Sequence, residues 1–301
     1  MPIRGSNPVL KRVMSQQGAG APPYQQPYGQ GPYQQPYGQQ GYYQQGYPGY
    51  PQQGYQQHPQ QQFGYGQPVP PSAEDARPMT IDDVVVRTGL VLAAVVAAAV
   101  VSFFIPNPIL IFGGMIVGLI LGLVISFKQS TNPALIFCYA VAEGLFLGGV
   151  SRIFEMSAGV ATGSLVTQAV FGTIFAFGAM LALYSFRVIR VTNTFVKVVS
   201  AALIAAVVLL LANLVIGLFN GGVGLGLREA GPLGIIVSLV LIVVACATLA
   251  IEFRGIEDGI QARLPHRFAW QCAFGLTVSL VWLYIEILRL LWMIQSIFSG
   301  D

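Results

Sequence analysis

The chain has 301 residues, 54% of them hydrophobic and only 9% charged, with a mean hydropathy of +0.64. A soluble domain carries about a quarter charged residues, so this balance excludes an ordinary water-soluble globule and marks a membrane protein. The net charge of +3 is small, and the Lys and Arg residues sit at the ends of apolar runs rather than in a patch, which argues against a nucleic-acid partner.

From Val13 to Ala73 there is no Asp, Glu, Lys or Arg, and Tyr recurs with Gln, Gly and Pro, as in PYQQPYGQGPYQQPYGQQ. Aliphatic side chains are nearly absent, so nothing would offset the entropy of ordering this segment. Residues 1–77 are therefore expected to form a disordered arm and residues 78–301 the membrane domain. The spaced tyrosines of residues 13–73 suit weak multivalent contacts with protein partners, and equally a solvated spacer. The opening MPIRGSNPVLKRVMSQQ lacks a continuous apolar core, so no cleavable signal peptide is expected and the first span would serve as the targeting signal.

A helix needs about 20 apolar residues to cross a bilayer core. Seven runs meet or approach that length, at roughly 87–105, 109–127, 134–151, 165–187, 197–219, 233–252 and 270–296. The breaks carry turn chemistry. IPNP (105–108) gives a tight reversal, STNP (130–133) supplies a cap and a helix-starting proline, FNGGVGLG (219–226) reads as a flexible loop, and LPHRF (264–268) parts the last two spans. The expected fold is all-α, a seven-helix transmembrane bundle. Gly114, Gly118 and Gly122 in the second span, and Gly144 and Gly148 in the third, mark faces of close helix approach. Cys138, Cys246 and Cys272 lie in apolar runs without a CxxC pair and read as packed core thiols.

Orientation follows from the bias of Lys and Arg toward cytoplasmic loops. With the N-terminus inside, the inner connections carry Lys128, then Arg187, Arg190 and Lys197, then Arg254, Arg263 and Arg267. The outer ones carry Arg152 and Arg228, each beside an acid, Glu155 or Glu229. The expectation is a multi-pass plasma-membrane protein with a cytoplasmic N-terminus and an external C-terminus.

Ionisable groups at membrane depth cost roughly 2.5–3.5 kcal/mol on insertion scales, so they usually face a partner or a watery cavity. Glu286 and Arg289, in WLYIEILRLL (282–291), are such groups, and Glu143 in YAVAEGLFLGG is another. Counting along the spans puts Glu143 at a depth similar to Glu286, and puts Glu252, in LAIEFRGIEDG, at the cytoplasmic edge. Arg289, three residues from Glu286, and Arg152, beyond Glu143, are the candidate counter-ions. Two carboxylates sharing a site share a proton, and carboxylates also suit a hard cation such as calcium.

EGLFLGG from Glu143, LAIEFRGIEDG at the end of the sixth span and AFGLTVSLVWLYIEILRLL (273–291), in this order within seven spans, resemble the Bax inhibitor-1 family, in particular its bacterial members with long tails. The likeness runs from about Met79 to the C-terminus. It implies a compact bundle with the last helix central and a pH-sensitive calcium leak governed by acids on the sixth and seventh helices. Glu286 falls on the seventh-helix acid and Glu252 nearest the sixth-helix one, both Glu where those members have Asp, and Arg254 stands where a second acid is expected. Calcium near Glu252 and Glu286 would be cargo rather than a resident cofactor. Two alternatives stand beside this reading. One is a non-transporting scaffold or stress-regulatory protein recruiting partners through its tail. The other is an intramembrane protease, disfavoured because no GxGD pattern flanks either acid, and His58 and His266 lie in the tail and a loop. No enzymatic activity is expected.

Overall fold

A computed structural model describes residues 77–221 and 224–298. The disordered arm expected for residues 1–77 lies outside the described residues, save Arg77. Among those residues seven helices are long and apolar enough to cross a membrane. They are α1 (Ile81–Phe104), α2 (Pro108–Lys128), α3 (Pro133–Ala158), α4 (Ser164–Ser185), α5 (Asn193–Phe219), α6 (Pro232–Gln261) and α7 (Phe268–Phe298). The chain is an all-helical, multi-pass membrane protein.

The helix starts follow the local chemistry. Thr80 and Asp83 form a reciprocal capping box at α1, while the Asn107 and Asn132 side chains accept from Ile109 N and Ala134 N, ahead of Pro108 and Pro133 at the first helical positions. The segment before α1 is tied to the α6–α7 turn. Met79 N donates to Leu264 O at 2.8 Å and His266 N to Arg77 O at 2.9 Å, and Arg87 lies 5.0 Å over the Trp270 ring.

Helix α7 packs against α6, α1, α4 and α3, and is the axis of the bundle. Its neighbour α3 runs parallel to it, with Phe137 beside Trp270, Tyr139 beside Phe274 and Ser151 hydrogen-bonded to Tyr284 at 2.8 Å. Helices α1, α2 and α3 form the tightest seam. A Cβ on Gly148 would collide with the Ala99 carbonyl of α1, and one on Gly114 would sit 2.6 Å from the Ala142 carbonyl of α3. Only a residue without a side chain lets these backbones touch. Helix α5 is the opposite case, since α6 gives it its one substantial contact and Val199 and Ala206 are its buried residues.

Two expectations change here. Hydropathy ends the sixth span near 252, but α6 continues to Gln261, because Phe253 and Gly259 are buried and Ile256 and Ile260 pack on the core, so one side of this charged turn remains covered. Of the three cysteines Cys272 is buried and Cys246 half-buried, whereas Cys138 is exposed on the outer side of α3 and is not a core thiol.

Candidate functional site

Glu286 sits in the C-terminal half of α7 with 1% of its surface exposed, and both carboxylate oxygens are engaged. Oε2 accepts from Arg289 Nη2, a close pair at i and i+3, and Oε1 accepts from Arg228 Nη2 at 3.2 Å. Arg289, 3% exposed, also donates to the buried Ser238 hydroxyl of α6 through Nε at 3.3 Å and Nη2 at 3.1 Å, while its Nη1 has no partner. The cluster thus brings one carboxylate and two guanidiniums together under the α5–α6 connection.

Arg228 is the member that spacing along the chain does not suggest, since it lies in a loop and beside Glu229. The loop delivers it by a chain of local contacts. Asn220 Oδ1 accepts from Gly224 N at 2.8 Å, Asn213 Oδ1 accepts from Leu225 N at 2.8 Å, and the Glu229 carbonyl packs on Gly234 at the start of α6. Burial lowers the Arg228 guanidinium from its usual range and the Glu286 charge raises it again. Its side chain keeps 35% exposure, so this arm of the cluster reaches toward the surface while Glu286 and Arg289 do not.

Neither other acid joins Glu286. The Glu252 carboxylate lies against Gly275 of α7, where a Cβ would stand 2.5 Å from Oε2. From Gly275 to Glu286 at about 1.5 Å per residue is about 16 Å. A proton or a single calcium ion shared between Glu252 and Glu286, as the resemblance implies, is therefore not built here. Glu252 is also not a solvated helix end, because α6 runs on past it. Glu143 points at Gly118 of α2, and the Ser151–Tyr284 register of α3 against α7 places it about 15 Å short of the Glu286 level, so the expected common depth fails. Counting residues along the spans separates Glu252 from Glu286 but misplaces Glu143 and ends α6 too early, because the spans differ in length and offset.

Arg152 does not pair with Glu143. It donates to Thr162 Oγ1 at 3.0 Å and lies 5.5 Å over the Phe103 ring. Its supposed companion Glu155 is fully buried and accepts from Gly163 N at 2.7 Å and Val166 N at 3.1 Å, capping the start of α4, whose own cap residue is a glycine without a side chain. Arg254, in the position of the expected second acid, donates to Val191 O at 2.6 Å and Asn193 Oδ1 at 3.1 Å and fastens the α4–α5 turn. Among the described residues no three His, Cys, Asp or Glu side chains come together as a metal site.

A family model described as Bax inhibitor 1 like covers residues 7–296, beginning well before Met79, where the resemblance in sequence begins. Among curated proteins none matches the chain.

Proposed function

The chain belongs to the Bax inhibitor 1 like family, and from that membership and the arginine-clamped acid of α7 we propose that it is a non-enzymatic, pH-sensitive calcium leak channel of the plasma membrane. The observation that carries the reading is Glu286 at 1% exposure holding two guanidiniums, one of them on a loop. In this reading the connections bearing Arg187, Arg190 and Arg263 face the cytoplasm and the Arg228 loop faces out.

The charged carboxylate fixes the loop over the end of the α6–α7 pair. Both of its oxygens are occupied, so in this state it is a latch and not a ligand for calcium. Arginine stays charged across the physiological range, which leaves Glu286 as the member of the cluster that titrates. The latch holds at higher pH and is lost as pH falls and Glu286 takes a proton. Arg289 keeps its bond to Ser238, whereas Arg228 loses its partner and the loop is free to lift. Glu252, further along the same helix pair, has no ion-pair partner among the described residues and supplies negative charge for a passing cation. Calcium flux in liposomes from about pH 6 to pH 8 tests this. The wild type is expected to leak more at the acid end, and Glu286→Gln to leak at all pH values. Equal flux from the two proteins throughout would sink the proposal.

A further inference from the structure

Among the described residues, the arginines that hold a partner contrast with the exposed ones that show none, Arg187, Arg190 and Arg263. Arg77, Arg87, Arg152, Arg228, Arg254 and Arg289 each hold a partner within the protein. Arg187 and Arg190 in the α4–α5 turn, with Lys197 on the first turns of α5, are exposed and have neither ion pair nor side-chain hydrogen bond among the described residues. These three unpaired cations lie within one short stretch, and the stretch is rigidly held. Arg187 takes a left-handed conformation with φ 56°, and its N donates to Tyr184 O at 3.0 Å. Ile189 and Val191 turn into the core, while Arg254 grips Val191 O and Asn193 from α6. The same geometry turns Phe186 and Val188 outward, at 79% and 68% exposure, on either side of Arg187.

Behind this turn the two helices it joins separate. Helix α4 packs on α7 and α6, and α5 packs on α6, but α4 and α5 make no substantial contact with each other. The space between them is therefore floored by α6 and open to the acyl region, with exposed apolar side chains such as Phe175 and Val198 on the two helices. An apolar cleft in a membrane fills with lipid chains. What distinguishes this one is its mouth, where three cations hold no acid among the described residues, the neighbouring Glu257 and Asp258 of α6 being engaged by Tyr184 and Arg254.

We propose that the α4–α5 cleft is a binding site for an anionic phospholipid, its acyl chains lying between the helices and its phosphate held by Arg187, Arg190 and Lys197. Arginine suits this because its planar fork meets phosphate oxygens in pairs, and Phe186 and Val188 anchor at headgroup depth. Arg254 acts as a positioning residue that keeps the turn in place. The site does not depend on calcium transport, and it assigns Arg254 a task unrelated to proton sensing.

The test is native mass spectrometry of the full chain in detergent with phosphatidylglycerol and phosphatidylcholine at equal concentration. With about 1 kcal/mol of attraction per basic residue near an anionic surface, a preference on the order of tenfold to a hundredfold for phosphatidylglycerol is expected. Arg187→Gln/Arg190→Gln/Lys197→Gln should bring the two lipids to within about twofold, with an unchanged melting profile, and Arg187→Lys/Arg190→Lys should retain most of the preference. Lys128→Gln/Arg263→Gln removes two other exposed cations at the same end of the bundle and should leave the preference intact. The proposal is overturned if the triple variant still prefers phosphatidylglycerol, or if the Lys128/Arg263 variant loses as much. It is equally overturned if millimolar inorganic phosphate strips the lipid, or if α5 cross-links to a second copy of the chain across the cleft.

Discussion

The α6–α7 pair carries an acid at each of two levels, and the levels are built differently. At the upper level Glu286 is sealed by two arginines and a buried serine contact behind one of them. At the lower level Glu252 lies against the bare backbone of Gly275, with Cys272 nearby, and makes no ion pair among the described residues. A clamped carboxylate fixes whatever its partners are attached to. The Glu252 carboxylate fills the space that a side chain at 275 would take, and no opposite charge among the described residues ties it to another element. Depth in the membrane, which is similar in cost for any acid, does not separate these cases; the partners do.

The largest effect should come from Glu286→Ala, which leaves buried Arg289 without a counter-charge. Breaking a buried pair typically costs about 3–5 kcal/mol, to be read as a drop in the denaturant or thermal midpoint in micelles. Glu286→Leu/Arg289→Met removes both charges and should recover most of that loss, because the apolar pair needs no desolvation compensation. An alanine variant as stable as wild type would erase the contrast between the two levels.

Arg228→Gln should cost less, about 1–2 kcal/mol, since this side chain is partly exposed. Its clearer signature is faster amide exchange over residues 224–231. The same residues give the pH dependence. With Glu286 charged the loop is pinned and exchange is slow; as pH falls and the carboxyl is protonated the pinning goes, so wild-type exchange should approach that of Arg228→Gln at the acid end, once the intrinsic pH effect is divided out. A wild-type loop equally protected at both ends of the range would refute the latch.

At the lower level the effects shrink. Glu252→Gln breaks no pair, and a stability change within about 1 kcal/mol of zero is expected by thermal unfolding, with loop exchange unaltered. Gly275→Ala meets only the end of the Glu252 side chain, which can swing aside, and should cost still less, about 0.5 kcal/mol. Gly148→Ala makes the useful control, because there the new methyl meets the fixed Ala99 carbonyl and the helices themselves must part.

The count of spans, the Asn132–Pro133 start of α3 and the glycine faces were legible along the chain, because membrane insertion and helix starts depend largely on residues close in sequence. The Glu286–Arg289 pair belongs with them, as one helical turn brings the two together. Arg228 was not legible. It is joined to Glu286 across the whole of α6, and the feature that looked decisive, its neighbour Glu229, is not its partner. Glu155 was hidden in the same way, reading as a loop charge beside Arg152 while it caps another helix from within the protein.

What the sequence alone determined is thus the solvent of the described segments: seven apolar helices for lipid, with basic residues gathered at their connections. Tertiary structure decided which charges meet. Helix length past the apolar run, the stagger of α3 and α6 against α7 and the path of one loop set those meetings within a few ångströms. Hydropathy carries no information at that scale, because it reports the cost of placing a charge and not the position of its partner.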